Sequence, residues 1–497
     1  MTIRLLLDMA SQAWPERTAL GAGPDGVTFG QLAAEADAGA AVLSRLEAGT
    51  LAFVGVNSAV VPRLLFAAAG AGIPFAPLNY RLAADAVRQL IGRLDRPLVV
   101  ADPAFTEVVA GTGITVLSTA QWLELTAAQA PGTVADVSDE APAILLFTSG
   151  TTAAPKCAVL RHANLLSYVL GTVEFGAADE TDCTLSSVPP YHIAGMGAVL
   201  TNTYSGRQVA YLPDFTPESW LALVRDQRVT HAMVVPTMLA RIVEHLNGSP
   251  ADCPSLISLA YGGARMPVSV LTAALAAFPG AGFVNAYGLT ETSSTIAVLG
   301  PDDHRRALAT GDLDLLSSAG QIVPGIEAEI RADDGTVLPA GETGELWVRG
   351  PQVSGEYEGI GSVLDADGWF PTRDRARLDA AGYLYLDGRT DDTIIRGGEN
   401  ISPAEIEDVL LTHPAVRDAG VVGVPDTDWG QRLVAYVVLQ DGAAADEPEL
   451  QSFVRGKLRG SRTPDQVIFR AELPYTPTGK LLRRELVAEL APVPPAG

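Results

Sequence analysis

The segment Leu145-Leu-Phe-Thr-Ser-Gly-Thr-Thr-Ala-Ala-Pro-Lys156 decides how the rest of the chain is interpreted. A short apolar run ends in hydroxyl side chains, one glycine and one lysine, a composition typical of a loop that binds phosphate after a buried strand. It is not a Walker loop, because that motif has glycine directly before the lysine and a hydroxyl directly after it, whereas Pro155 and Cys157 occupy those places. A polar surface turn is the competing interpretation of this segment taken alone.

The overall composition narrows the class of protein. The chain has 497 residues, 47% of them hydrophobic, and can bury several cores. Its 34 basic and 58 acidic side chains give a formal net charge of -24, which argues against a nucleic-acid-binding protein. The three cysteines have no CxxC spacing and are odd in number, so neither a disulfide framework nor a zinc site is expected. No signal peptide or membrane span is found, and we expect a cytoplasmic enzyme.

Short runs rich in Val, Ile and Leu repeatedly end in Gly, Pro or hydroxyl clusters, which predicts an α/β fold. Because ligands of open α/β sheets bind outside the carboxyl ends of the strands, the loops that follow these runs are expected to share one cleft. The runs are 143–147, 232–235, 256–261 and 282–286.

The pattern changes twice toward the C-terminus. Residues 319–349 are punctuated by glycine and predict a small antiparallel subdomain. After a polar junction at 388–392, the pattern indicates helix 403–413, strands 419–424 and 433–439, and helix 447–458. The predicted architecture is therefore a large N-terminal α/β domain (1–388) that includes the antiparallel subdomain, followed by a smaller, mobile α+β C-terminal domain (389–497).

Four further sites carry suitable chemistry, although each taken singly is more commonly a turn or a solvated charge. In Tyr287-Gly-Leu-Thr-Glu-Thr292 a ring can stack on a base, a hydroxyl can bond phosphate and a carboxylate can hold Mg²⁺. Gly262-Gly263-Ala264 would let backbone approach a flat ligand. Asp374 could accept ribose hydroxyls, and Lys480 lies in a loop stiffened by two prolines.

Together, the motifs TSGTTAAPK (148–156), YGLTE (287–291), TRD (372–374), GRTDDTIIRGGENISPAEIE (388–407) and PTGK (477–480) resemble the ordered signature set of the adenylate-forming superfamily. That superfamily includes acyl- and aryl-CoA ligases, luciferases and peptide-synthetase adenylation domains. The resemblance runs from about Asn57 to Leu486 and implies a two-step reaction. A carboxylate first attacks the α-phosphate of Mg-ATP, giving acyl-AMP and pyrophosphate, and the thiol of coenzyme A then displaces AMP.

The resemblance also implies a role for each matching residue. The β- and γ-phosphates would lie among Thr148, Ser149, Gly150, Thr151, Thr152 and Lys156. The catalytic residues would be Lys480, which bridges the carboxylate and the α-phosphate, Thr290, Glu291 as the metal ligand, and His192. Tyr287 would stack on adenine, with Gly262, Gly263, Ala264, Asn285, Ala286 and Gly288 around it and Asp374 and Arg389 on the ribose. Asp391 would be the hinge, and Gly397, Gly398 and Glu399 would close on the pantetheine.

The acid pocket is implied by two segments. Tyr191 and His192 resemble the residues that gate the acyl site, although a histidine there can equally be a packed core residue. Val235, Pro236 and Thr292 would line the pocket. Because no arginine occurs in these segments, an aryl or medium-chain monocarboxylic acid is favoured over a malonate-type diacid.

Three alternatives stay open from the sequence. An acyl-AMP ligase that loads a carrier protein would be expected to carry an inserted segment before the hinge, and none is obvious between 295 and 387. A luciferase-like monooxygenase and a catalytically silent nucleotide-binding protein are the others. The expected partners are a carboxylic acid and coenzyme A, without nucleic acid or a membrane span, in a monomer or homodimer. Ala153 stands where the family usually has glycine.

Overall fold

The computed structural model describes the chain except residues 22–25, 112, 131, 133, 149–154, 397–398, 427–428, 459, 477–478 and 491–497, and except the side chains of Asp391 and Asn400. Two large sheets form the N-terminal part. The first has thirteen strands in the described residues: β1 (Thr18–Leu20), β2 (Val27–Thr28), β9 (Cys183–Ser186), β10 (Gln208–Tyr211), β11 (His231–Val234), β12 (Ser258–Gly262), β13 (Gly282–Leu289), β14 (Ser294–Leu299), β15 (Gly320–Ile322), β16 (Glu327–Arg331), β17 (Gly344–Arg349), β20 (Phe370–Leu378) and β21 (Tyr383–Arg389).

The second sheet has eight strands in the same described part: β3 (Thr50–Val54), β4 (Phe75–Leu78), β5 (Pro97–Ala101), β6 (Val116–Ser118), β7 (Pro142–Thr148), β8 (Lys156–Arg161), β18 (Glu356–Tyr357) and β19 (Gly361–Ser362). Strands β3 to β7 are parallel, and β8 pairs antiparallel with β7. The hydroxyl-rich segment therefore connects two strands of a hairpin, not a strand and a helix.

Helices cover both sheets: α1 (Arg4–Ala13), α2 (Phe29–Arg45), α3 (Val60–Ala71), α4 (Ala84–Ile91), α5 (Thr106–Val109), α6 (Thr119–Ala127), α7 (His162–Thr172), α8 (Ile193–Ser205), α9 (Pro217–Asp226), α10 (Pro236–Leu246), α11 (Val268–Ala277), α12 (Pro301–Thr310) and α13 (Leu313–Ser317). Local chemistry fixes several boundaries. Thr28 and Gln31 form a reciprocal capping box at the start of α2, and Pro236 is at the first turn of α10, where its missing N–H costs nothing. None of the helices in the described part combines the length and apolar content that crossing a bilayer requires.

The predicted α/β class is confirmed, with one change in detail. The parallel strands, from β13 to β1 in the strand order, form one half of the thirteen-stranded sheet. The antiparallel strands predicted as a separate subdomain continue the same sheet through the β14–β15 pair. They nevertheless bury a cluster of their own, which includes Ile296, Leu346 and Phe370. Strand β13, which carries Tyr287, and the hairpin β20–β21, which carries Asp374 and Arg389, therefore belong to one sheet.

No described strand after Arg389 joins either large sheet. The C-terminal part contains the hairpin β22 (Ile394–Arg396) and β23 (Glu399–Ile401), the sheet β24 (Val416–Asp426), β25 (Gly430–Leu439) and β26 (Gln466–Arg470), and helices α14 (Pro403–Leu411), α15 (Glu447–Lys457) and α16 (Arg483–Leu490). Two apolar clusters lie on opposite faces of the three-stranded sheet, one built around Val421 and Val437 and the other around Tyr436 and Leu486. The division of the chain at residue 388 stays a prediction.

Candidate active site

Tyr287, Asp374 and Arg389 form one hydrogen-bonded group, although they are far apart in the sequence. The Tyr287 hydroxyl donates to Oδ2 of Asp374 at 2.5 Å, and Nη1 of Arg389 lies 3.2 Å from Oδ1 of the same carboxylate. Asp374 and Arg389 are also register partners of β20 and β21. The hydroxyl of Tyr287 is therefore held at the Asp374 carboxylate, which fixes the orientation of its ring.

Burial dominates the electrostatics of this group. It raises the pKa of Asp374, which is only 7% exposed, while Arg389, the Tyr287 hydroxyl and Lys480 act in the opposite direction. The pKa of Tyr287 is raised well above its ordinary value by burial and by Asp374. Each carboxylate oxygen can accept more than one hydrogen bond, so Asp374 keeps capacity for a ligand hydroxyl.

Glycine is required sterically at two of the predicted positions. A Cβ at Gly262 would overlap the carbonyl oxygen of Ala286 on the neighbouring strand, and a Cβ at Gly288 would overlap the carbonyl oxygen of Ser294. Gly263 has φ +85°, a left-handed conformation that favours glycine. Beside them, the side-chain amide of Asn285 donates to the carbonyl of Ser318 at 3.0 Å. Asn285 therefore braces the sheet, and its predicted role toward a nucleotide stays a prediction.

Glu291 and Lys156 meet at the ring of Tyr357, which the sequence analysis missed. The Tyr357 hydroxyl donates to Oε1 of Glu291 at 2.6 Å, and Nζ of Lys156 lies 5.1 Å from the centre of the ring. The backbone oxygen of Glu291 also accepts from the amides of Ser354 and Gly355, at 2.9 and 3.2 Å. Tyr357 thus orients the carboxylate, and the two amides hold the backbone of Glu291. Thr290 is half-buried in the same 290–292 turn.

The remaining phosphate-loop residues are only partly described. Thr148 ends β7 and pairs with Lys156 at the start of β8, with its Oγ1 3.4 Å from the Lys156 carbonyl oxygen. Ser149, Gly150, Thr151 and Thr152 lie outside the described residues. Their predicted role stays a prediction.

Lys480 approaches this group from the C-terminal part. Its loop closes through a bridge between Tyr475 and Leu481, and Gly479 (φ +79°) packs so closely on α10 that a Cβ there would lie 3.1 Å from Cγ2 of Thr237. Desolvation and Arg389 lower the pKa of Lys480, whereas Asp392 and Asp374 raise it. Lys480 therefore lies close enough to Asp374 and Arg389 for their charges to influence one another.

Direct contacts hold the two parts in this arrangement. Arg265, just after the Gly262–Ala264 segment, forms an ion pair with Asp408 of α14, and the Ser402 hydroxyl donates to the carbonyl of Asp387. Burial raises the pKa of Asp408 to about 6, with Arg265 opposing the shift. The contacts are polar, as in an interface that can separate.

The predicted hinge and thiol-side residues are described incompletely. Asp391 lies in a single 3₁₀ turn, Thr390–Asp392, directly after β21. Gly397 and Gly398 are outside the described residues. Glu399 is exposed, and its carboxylate contacts Ser461 (3.0 Å) and Arg462 (3.3 Å). These roles remain predictions.

Tyr191 and His192 lie directly before α8, with their rings in contact and tilted 50° to each other. Their ring centres are 4.7 Å apart, and Tyr80 packs edge-on against Tyr191 at 5.6 Å. The Tyr191 hydroxyl and Nε2 of His192 are buried without a hydrogen-bond partner among the described residues. Burial lowers the pKa of His192 to about 4, so the ring is neutral at pH 7. This pair leaves two polar atoms available to a ligand.

A cavity of about 230 Å³ begins next to these residues, but the predicted pocket residues do not form its walls. Thr292 corrects the prediction most clearly, because it is fully buried and its hydroxyl bonds the backbone of Leu289 and Ser294 to close the 290–292 turn. Val235 is 2% exposed and Pro236 is buried. The walls come from other positions, among them Val188, Ala194, Gly195, Met233 and Ala286. Of the residues predicted to bind nucleotide, Ala286 lines this cavity.

The family is decided by comparison with known proteins. A family model described as AMP-binding enzyme matches residues 7–358, and a model described as AMP-binding enzyme C-terminal domain matches residues 405–480. The chain belongs to the AMP-binding enzymes. Relatives of this AMP-binding enzyme include a feruloyl-CoA synthase from Amycolatopsis sp, 35% identical over 88% of each chain. They also include the fatty acid--[acyl-carrier-protein] ligase ScoC from Streptomyces coeruleorubidus, 32% identical over 88% of this chain and 86% of that one. The predicted ATP-dependent acid–thiol ligase is confirmed as a reaction class.

Solved structures agree with this assignment. ATP-bound MatB from Rhodopseudomonas palustris matches the AMP-binding enzyme with a TM-score of 0.88 and 27% identity, over 98% of this chain and 99% of the other. The apo form of MatB matches with a TM-score of 0.78. The present arrangement of the two parts is thus more similar to the ATP-bound form.

Two residues of the AMP-binding enzyme site escaped the sequence analysis. Tyr357 reaches Glu291 because β18 pairs with β8, which places Tyr357 opposite Ala158. Arg265 follows a predicted glycine segment, and its partner Asp408 lies one residue beyond the 388–407 motif. Neither residue has a local signal, because each acts through a partner from a distant segment.

Proposed function

We propose that this chain activates a ring-bearing carboxylic acid with ATP and transfers the acyl group to coenzyme A, in the cytoplasm where both co-substrates are found. The observation that carries the proposal is the meeting of Lys480 with the Tyr287–Asp374–Arg389 group. A cation delivered to a preorganised nucleotide site is what the attack of one anion on another requires.

Each side chain then has a physical task in the first step. Tyr287 is fixed by Asp374 so that its ring can stack on a flat base, and Asp374 with Arg389 can hold the two ribose hydroxyls. Lys156 is positioned to neutralise phosphate charge. Lys480 would lie between the attacking carboxylate and the α-phosphate, where it lowers the repulsion between two anions.

The residues present fit Mg²⁺ held together with phosphates. The described residues contain no group of three His, Cys, Asp or Glu side chains that could bind a metal by themselves. Mg²⁺, however, is typically bound by one or two carboxylates and substrate phosphates. Glu291 supplies one carboxylate, whose Oε1 is oriented by Tyr357. Bound there, Mg²⁺ would offset the phosphate charge.

The polar interface between the parts supports a second step in a different arrangement. If Arg265 and Asp408 separate and the junction at Asp391 turns, Lys480 leaves and another face of the C-terminal part can meet the thiol. A carrier-protein thiol is the second candidate acceptor, because one relative is named as a carrier-protein ligase.

Acid-dependent exchange of pyrophosphate into ATP tests the proposal, using a panel of aryl and medium-chain acids. We expect exchange with at least one ring-bearing acid, and none without acid. The acyl-adenylate is then offered free coenzyme A or a phosphopantetheinylated carrier protein. Faster release of AMP with the carrier would replace the proposed acceptor, and absence of exchange with every acid would refute the proposed function.

A further inference from the structure

The cavity beside Tyr191 and His192 lies between α8 and the parallel part of the thirteen-stranded sheet. Helix α8 turns small residues toward it, including Ala194, Gly195 and Ala198. A Cβ at Gly195 would lie 2.6 Å from the carbonyl oxygen of Pro189, so the helix cannot carry a larger residue there without moving. The gap between helix and sheet is thus a consequence of small side chains.

The floor of the cavity is polar at its deep end. Thr184, His231 and Ser258 are register partners on three neighbouring parallel strands, and all three line the cavity. Both faces of a parallel sheet are normally apolar, so a row of three polar side chains on one face is unusual. Two residues further along the strands the floor is mixed, with Ser186, Met233 and Ala260.

The polar row is remote from the strand ends where the adenylate would form. Ser258 begins β12, and Ala286, also in the cavity wall, is the register partner of Gly262 at the end of that strand. Four residues at roughly 3.3 Å each separate the two levels, a depth of about 13 Å. That depth suits an acid of one ring and a short side chain, and it is too short for a long-chain fatty acid.

Arg207 adds a cation at the deep end. It follows α8, outside the segments in which the sequence analysis found no arginine. Its Nη1 donates to Oδ1 of Asn202 at 3.1 Å, and the Asn202 amide is itself fixed by donating to the carbonyl of Ala198 at 2.7 Å. Nε of Arg207 is buried without a hydrogen-bond partner in the described part of the chain, and it lies 4.0 Å from Oδ2 of Asp182. The guanidinium is oriented, partly neutralised and not fully bonded.

His231 completes the deep end. Its Nδ1 lies 2.8 Å from Oγ1 of Thr230, which fixes the ring. Burial, and then the neighbouring Arg207, lower the pKa of His231 to about 4, so the imidazole is neutral at pH 7. The deep end therefore offers one guanidinium and one neutral imidazole to whatever fills it.

We propose that the cavity selects carboxylic acids that carry an oxygen acceptor at the end remote from the reacting carboxylate, bonded by Arg207 beside the imidazole of His231. The inference rests on the proposed function, since it names the class of acid for the same site. Because Asp182 already offsets part of the charge on Arg207, a hydroxyl or carbonyl oxygen is favoured over a second carboxylate. An acid without such an oxygen would leave the buried guanidinium unsatisfied.

The test uses ring-bearing acids of equal size that differ only at the far end: hydroxyl, carbonyl, carboxylate or methyl. Pyrophosphate release gives kcat/KM for each acid with the wild type, Arg207→Gln, Arg207→Lys, and Arg225→Gln as the control. Arg225 is an exposed arginine of α9 that is not among the residues lining the cavity. The melting temperature of each variant shows whether it folds as the wild type does.

We expect the wild type to prefer the hydroxyl or carbonyl acid over the methyl acid by about 10- to 100-fold in kcat/KM. Arg207→Gln should reduce that preference to less than about threefold and leave the methyl acid nearly unchanged, while Arg225→Gln behaves as the wild type. Best turnover of the carboxylate acid would overturn the choice of a neutral acceptor.

Equal turnover of all acids by the wild type overturns the inference even if the Arg207 variants do not fold. In that case the proposed function survives, because exchange still occurs. Equal loss of activity toward every acid in a folded Arg207→Gln protein would also overturn it, since Arg207 would then have only a structural role.

Discussion

Replacing Lys480 with alanine tests whether the two parts of the chain act together. The side chain brings one positive charge to Asp374 and Arg389 at the edge of the nucleotide site. At about 4 Å and an effective dielectric constant of about 20, one charge pair is worth roughly 4 kcal/mol, or about 10³-fold in rate. Because Lys480 is exposed to solvent, screening by water and salt lowers this interaction energy. We therefore expect a loss of about 10²- to 10³-fold in adenylation.

The assay separates the two half-reactions. Acid-dependent pyrophosphate exchange should fall by that factor, whereas transfer from preformed acyl-AMP to coenzyme A should stay within about threefold, because Lys480 acts only on the first step. Lys457→Ala is the matched control, since Lys457 is one of the three lysines in the chain and bonds Thr412 within the same C-terminal part. Adenylation at full rate by Lys480→Ala would refute the reasoning.

Three further results are expected. Gly262→Ala should lose nucleotide binding by at least about tenfold in calorimetric titration, because the added Cβ overlaps the Ala286 carbonyl; unchanged affinity would contradict this. Asp391→Pro, which fixes φ at the junction, should leave pyrophosphate exchange within about threefold and block thioester formation, whereas equal loss of both steps would argue against domain alternation. Burial lowers the pKa of His162 to about 4, so the unfolded chain binds the proton first as the pH falls. His162 alone should then contribute a fall of about 3 kcal/mol in the free energy of unfolding between pH 6.5 and 4. In denaturant titrations His162→Asn, which keeps an acceptor for the Ile3 amide, should lessen the total fall by that amount, and an unchanged fall would contradict this.

The fold was predictable wherever its signals are local. Val, Ile and Leu runs that end in glycine or hydroxyls marked β7, β11, β12 and β13 to within a few residues, because strand propensity and turn chemistry act over a few neighbouring residues. Sheet continuity was not predictable in this way. The antiparallel strands join the parallel ones through β15, a pairing that depends on contacts distant in the sequence.

The sequence by itself determined the reaction class. The residues expected to bind ATP occur in short motifs in a fixed order, and the side chains of each motif are enough to indicate what it binds. Tertiary structure decided which of these residues contact one another. The Tyr287 hydroxyl bonds Asp374, and the Tyr357 side chain contacts both Glu291 and Lys156. Thr292 is buried in the core. It also placed Arg207 and His231 at the end of the acid cavity. The physical reason is that a motif is read along the chain, whereas a cavity exists only between a helix and a sheet packed against each other, and its walls come from residues that share no local pattern.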